Sequence, residues 1–217
     1  MMKRMWGYLL FAVIVCGLAG TAMGTPVTFD FTGDNELVPS VALTVNGVTV
    51  TATPQSSEGS PQISQTSDGL GIRTIGIGGD NNQIDEVGAS ETLVLTFDAG
   101  PWPVTLVSVT FERVGLDDDF SLSVDGNVLV SSTDIPGGNA SDGARESFDF
   151  TIFPVSFRTG NVFMFATPGS DDDYRVKSLT VNTTPEPSSL LLLGSGLSGL
   201  GWVGFLRTRQ RKTRLES

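Results

Sequence analysis

A period of two in the apolar residues restricts this chain more than any other feature. From Thr25 onward Val27, Phe29 and Phe31 alternate with Thr28 and Asp30. Successive side chains of a strand point to opposite faces, so this pattern describes a half-buried strand and gives a helix no apolar stripe. Two pairs of such runs are joined by turn-forming dipeptides. Residues 41–45 and 48–52 flank Asn46-Gly47, and residues 120–124 and 128–130 flank Asp125-Gly126, with Asn127 either in the loop or opening the second strand. These dipeptides tolerate the positive φ of a type I′ turn, so both predict tight hairpins.

The alternation continues along the chain. Leu93, Leu95 and Phe97 share one face of a run that starts at Glu91. Residues 105–114 read as a longer strand in which Val107, Val109 and Phe111 alternate with Ser108, Thr110 and Glu112. Phe148, Phe150 and Ile152 alternate with Asp149 and Thr151; residues 162–166 are a short apolar strand; residues 174–181 close the domain with Val176, Leu179 and Val181 facing inward. Residues 54–69 and 134–145, rich in small and polar residues, read as surface loops. The glycine-rich stretch 69–79 lacks the Lys-Ser/Thr and the helical pattern of a phosphate-binding loop, so it reads as a strand with glycines at bends or close-packing points. Ten or eleven short strands without helical periodicity predict an all-β fold, a single antiparallel β-sandwich of jelly-roll type.

Charge divides the chain into three. Residues 25–187 hold 23 acidic and 6 basic residues, a net −17, whereas the two ends are net positive. An acidic middle repels phosphates, so no nucleic-acid partner is expected. The one cysteine, Cys16, lies near the start, so no disulfide forms downstream, and the chain contains no histidine. That removes His-based triads, the usual zinc sites and the side chain best suited to proton transfer near neutral pH. A non-enzymatic protein without a cofactor is expected.

Three acidic clusters stand out: Asp80-Asn81-Asn82 with Asp85 and Glu86, Asp117-Asp118-Asp119, and Asp171-Asp172-Asp173. The last two share a frame, a glycine two positions before three aspartates and an aromatic directly after them, at residues 115–120 and 169–174. This predicts two similar strand starts at one edge of the sandwich. Hard cations prefer several oxygens, which makes Asp80, Asn82 and Asp85 candidate calcium ligands. The alternative is solvated aspartate that stabilises turns at strand starts.

Both ends carry membrane signals. Lys3 and Arg4 precede an apolar run, and Ala22-Met23-Gly24 offers a small-x-small cleavage site, so residues 1–24 read as a signal peptide. At the other end Thr184-Pro185-Glu186-Pro187 is followed by 19 uncharged residues, 188–206. As a helix these would measure about 28 Å, close to the hydrocarbon thickness of a bilayer. Arg207, Arg209, Arg211, Lys212 and Arg214 come next and would hold that end in the cytoplasm. Two prolines fix φ and remove two donors, so the triplet is extended just outside the membrane.

Triplet, span and basic tail in this order resemble the PEP-CTERM sorting signal of Gram-negative bacteria. The resemblance implies recognition and processing by an exosortase at Pro185, Glu186 and Pro187. It assigns residues 184–214 to sorting and anchoring and leaves residues 25–183 as the exported β-sandwich. It also implies an exported, inner-membrane-anchored precursor whose mature form is at the cell surface or extracellular, associated with exopolysaccharide and biofilm. The other function expected of such a domain is a carbohydrate-binding module, with or without calcium, with extracellular polysaccharide as the partner.

Overall fold

The two hairpin dipeptides form the turns that their chemistry demands. In a computed structural model that describes residues 24–78, 80–139 and 143–183, Asn46 and Gly47 have φ of 52° and 80°, and Asp125 and Gly126 have 49° and 80°. Positive values at both central positions define a type I′ turn. The turns join β3 (Val41–Val45) to β4 (Val48–Ser56) and β9 (Asp119–Val124) to β10 (Asn127–Asp134). Asn127 therefore opens the second strand.

The other strands are β1 (Pro26–Asp30), β2 (Glu36–Val38), β5 (Ser60–Thr66), β6 (Gly69–Ile75), β7 (Glu91–Asp98), β8 (Val104–Val114), β11 (Ala144–Asp149), β12 (Thr159–Gly160), β13 (Val162–Ala166) and β14 (Arg175–Thr183). One sheet has the order β11-β8-β14-β6-β5-β2, with β1 also on β14 and β12 also on β8. The other has the order β10-β9-β13-β7-β4-β3. The strand pairs are antiparallel. Residues from both sheets enter one apolar core, so the architecture is a β-sandwich.

Aromatic contacts tie the layers together. Phe29 of β1 meets Phe97 of β7 edge-on at 5.5 Å, and Phe97 meets Phe163 of β13 at 5.5 Å. Phe111 of β8 contacts Phe120, Phe165 and Tyr174. Such pairs contribute about 0.5–1.5 kcal/mol each beyond their buried area. This packing carries stability in a unit that contains no cysteine.

The structure departs from the sequence pattern in three places. Residues 54–69 are not a loop: they contain the end of β4, all of β5 and the start of β6. Polar strands are possible here because the ladder supplies the stability, Ser60–Thr66 pairing residue by residue with Gly69–Ile75. Pro54 is tolerated because β3 reaches only Ala52, leaving β4 a neighbour on one side there. Second, Ile152 does not continue the alternation of Phe148 and Phe150. The Asp149 carboxylate accepts the Thr151 N–H at 2.8 Å and starts a 3₁₀ turn, Phe150–Ile152, which leaves Ile152 exposed. Third, a register shift between Thr180 and Val181 inserts a bulge in β8 at Val107. Leu106 and Val109 are consequently the fully buried residues, and Val107 is half-buried.

The first and last strands end side by side. Pro26 of β1 pairs with Asn182 of β14. On the far side of β14, Thr183 pairs with Val104 of β8, and Val104 pairs in turn with Gly160 of β12. The compact unit runs from Thr25 to Thr183. The leader up to Met23, the Pro185-Glu186-Pro187 triplet, the 188–206 span and the basic residues 207–214 lie outside the described residues. Among the described residues no helix is long and apolar enough to cross a membrane.

Candidate functional site

The connection between β6 and β7 carries the first acidic cluster, and it is fastened by its own side chains. Asp80 accepts the Asn82 N–H at 2.8 Å through one carboxylate oxygen and the Thr74 N–H of β6 through the other. The Asn82 amide oxygen accepts from Arg73 at 3.1 Å, and Asp85 accepts the Val87 N–H at 2.8 Å. These are the Asx-type contacts by which aspartate and asparagine shape turns. Asp80, Asn82 and Asp85 thus sit in one loop, but most of their oxygens point into the loop's own framework. Among the described residues no three acidic side chains are grouped as metal ligands.

Glu91, at the start of β7, belongs with them. Its N–H donates to the Asp85 carbonyl at 3.1 Å, and one carboxylate oxygen accepts from the Thr74 hydroxyl at 2.5 Å. Asp85 and Glu91 are 1% and 2% exposed, and Asp85 Oδ2 and Glu91 Oε2 find no hydrogen-bond partner among the described residues. A buried carboxylate without a counter-charge is costly, so burial favours its protonated form. Burial pushes Asp85 up to about 6, with the charge of Asp80 adding to the shift. Burial pushes Glu91 up to about 8, against the opposing pull of the Thr74 hydroxyl, and Asp85 and Asp80 raise it further. Sequence alone singled out Asp85 and passed over Glu91, which reads there as the polar first residue of a strand.

The two aspartate triplets meet. Asp118 accepts the Asp173 N–H at 3.2 Å, and Asp172 accepts the Asp119 N–H at 2.9 Å. Asp118 also accepts the Gly115 N–H, while Asp119 accepts from the Ser132 hydroxyl at 2.5 Å. The third triplet residue, Asp173, takes the Asn81 amide at 2.6 Å and so links this corner to the β6–β7 loop. Tyr174 follows it into the core, fully buried, and pairs with Ile84 of the same loop through an isolated bridge. Burial raises Asp172, and burial together with Asp172 and Asp118 raises Tyr174 well above its usual value. The shared sequence frame predicted similar strand starts; the structure adds that the two starts grip each other.

Cations serve the frame as well. Arg175 is buried and donates to the Ser64 and Gly69 carbonyls at 3.0 and 3.3 Å and to the Thr66 and Ser64 hydroxyls. Burial lowers it to about 10. Lys177 and Arg145 both reach Glu112, at 2.9 and 2.7 Å. Burial alone would raise Glu112, but these two cations hold it below its usual range. The side-chain clusters of the domain thus act mainly on its own backbone and its own charges.

Residues 183–209 match the family model described as the PEP-CTERM protein-sorting motif. The match begins at the residue where β14 ends. No curated protein and no solved structure matches the chain.

Proposed function

We propose that this chain is an exported surface or matrix protein, delivered to an exosortase by its C-terminal PEP-CTERM motif and processed there. The observation that carries the reading is the match at residues 183–209, which begins at the final residue of the last strand of the β-sandwich. Pro185, Glu186 and Pro187 are recognition elements in this reading. The 188–206 run anchors the precursor in the inner membrane, and Arg207, Arg209, Arg211, Lys212 and Arg214 fix its orientation. The β-sandwich is the exported cargo, and its role is non-catalytic. Supporting this, the chain has no histidine, and the buried Asp85, Asp118 and Asp172 accept from backbone N–H groups of its own turns and strand starts.

Within the extracellular polysaccharide layer, a net charge far from zero keeps such a domain dispersed and hydrated. The test is localisation and mass of a tagged chain with Pro185, Glu186 and Pro187 replaced by Ala. The replaced chain is expected to stay in the membrane fraction at precursor mass while the native one is processed. Identical processing and destination would sink the sorting reading. A glycan array with and without calcium addresses the domain separately: selective binding to one sugar class would replace the matrix role with a carbohydrate-binding one.

A further inference from the structure

The segment between β11 and β12 is built to display apolar side chains. Eight large hydrophobic residues are exposed among the described residues, and three of them fall within six positions of this segment: Ile152 at 72%, Val155 at 57% and Phe157 at 64%. Single apolar residues scattered over a surface are ordinary, whereas three large ones on one short loop make it a candidate contact. The loop is not slack. Phe150 is fully buried beneath it and Phe153 packs against the core. Two 3₁₀ turns, Phe150–Ile152 and Val155–Phe157, are closed by the Phe153 and Phe157 N–H groups on the Phe150 and Pro154 carbonyls, each at 3.0 Å. Arg158 lies under the loop, donating to the carbonyls of Phe153 and Leu106, and the Thr159 hydroxyl donates to the Val155 carbonyl at 2.7 Å. The sequence from Phe150 to Arg158 contains no acidic residue, in a domain that is otherwise strongly acidic.

Its position in the fold is as informative as its composition. The segment leads into β12, which pairs with Val104 and Thr105 of β8. The same two residues pair on their other side with Asn182 and Thr183, the last residues of β14. From β12 the loop runs back beside β8, with Arg158 facing Leu106 and Asp149 facing Ser108, so it lies along the half of β8 nearer the point where the chain leaves the sheet. Residues 184–187 span about 13 Å at most, and the uncharged run begins at Ser188.

We propose that Ile152, Val155 and Phe157 bed into the phospholipid headgroup layer of the membrane that holds the precursor's own tail. This rests on the anchored-precursor reading above. An apolar, acid-free loop gains by entering the interfacial layer, whereas the acidic remainder is kept out of it. The contact would limit the tumbling of the domain about its short tether. It would be lost when the tail is processed, because the three side chains alone bury little area.

The test uses residues 25–217, the precursor without its leader and free of cysteine, reconstituted in vesicles of phosphatidylethanolamine and phosphatidylglycerol. A nitroxide is placed at Phe157→Cys or, as a control, at Leu116→Cys, which is exposed beyond the opposite end of β8. Flotation first establishes that the chain is held by the vesicles. The expected result is a label at 157 shielded from an aqueous nickel chelate and accessible to oxygen, with the label at 116 open to the chelate. Replacing Ile152 and Val155 by Ser should open position 157 to the chelate, while circular dichroism confirms that the fold is retained. Equal aqueous exposure at 157 and 116 in a chain that floats would overturn the docking and leave the anchor intact. A chain that does not float would overturn the anchor reading and the docking with it. Shielding at 157 that rises with protein-to-lipid ratio and brings spin–spin broadening would assign the loop to a second copy and overturn the lipid contact.

Discussion

Asp118 and Asp172 hold each other's strand starts in place: Asp118 accepts the N–H of Asp173, and Asp172 accepts the N–H of Asp119. The exchange links β9 in one sheet with β14 in the other, so it works across the sandwich edge. Each carboxylate supplies the acceptor for a part-buried backbone donor that water reaches poorly. Asp117 and Asp171, one residue earlier in each triplet, are exposed. The middle residues should therefore matter and the first ones should not. Asp172→Ala is expected to cost about 1–3 kcal/mol by leaving a donor unpaired. Asp117→Ala and Asp171→Ala should stay within about 0.5 kcal/mol of the native chain. Urea unfolding of the four proteins checks the contrast, and equal losses at 117 and 172 would refute the clasp.

Stability should fall as pH rises from about 4 to about 8. Asp85 and Glu91 stand at about 6 and about 8 in the folded chain, above their ordinary values of 3.8 and 4.5. The folded state therefore binds more protons than the unfolded one across this range, and stability declines with pH until Glu91 has ionised. Glu91→Gln mimics the protonated acid, because its amide oxygen can still accept from Thr74. It should be more stable than the native chain at pH 8, by on the order of 2 kcal/mol, and should converge with it near pH 4. Thermal melts of both proteins across this range read the difference directly. A constant offset between the two curves would show that Glu91 does not titrate as described.

Much of this architecture is legible in the sequence because its determinants are local. Asn46-Gly47 and Asp125-Gly126 specify their own backbone angles, and the flanking alternation specifies which face is buried. What was not legible depends on partners far along the chain. β5 is mostly polar, and only its ladder with β6 makes it a strand. The bulge at Val107 arises from pairing with β14, some seventy residues later, and nothing within residues 105–114 announces it. The same holds for the acids. The matching frames of 117–119 and 171–173 suggested similar strand starts, but a reciprocal contact is a property of the fold. Glu91 gave no signal, because its burial follows from the path of the β6–β7 loop.

That path also explains a glycine. A Cβ built on Gly71 would lie 2.1 Å from the Asn82 carbonyl oxygen, inside any permissible contact. The loop passes directly over β6 there, with the Ile72 N–H donating to the Gln83 carbonyl at 3.1 Å. Gly71→Ala should displace residues 80–85 and so disturb Asp85 and Glu91 without touching them. The expected result is a loss of about 1–3 kcal/mol together with a flatter pH profile, because the displaced acids regain water. Gly47→Ala has open space around its Cβ but a φ of 80°, so its loss should be smaller and independent of pH. Identical pH profiles for Gly71→Ala and the native chain would separate the loop from the acid pair.

Arg175 offers the sharpest test of how β14 is joined to β5 and β6. One guanidinium nitrogen reaches the Ser64 and Gly69 carbonyls and the Thr66 hydroxyl, and the other reaches the Ser64 hydroxyl. The acidic charge that raises it is Asp68, itself held low by its hydrogen bond with Arg113. Arg175 is thus a buried cation satisfied mainly by neutral oxygens, and the fork geometry is what lets one side chain reach them all. Lysine carries the charge but not the fork. Arg175→Lys and Arg175→Met are therefore both expected to lose stability, by about 2–4 kcal/mol, because each leaves buried carbonyls without donors. If charge rather than geometry were decisive, Arg175→Lys would behave as the native chain in urea unfolding while Arg175→Met collapsed. Native-state hydrogen exchange gives the second readout: protection should fall first at the β5–β6 hairpin, whose turn Arg175 closes from outside.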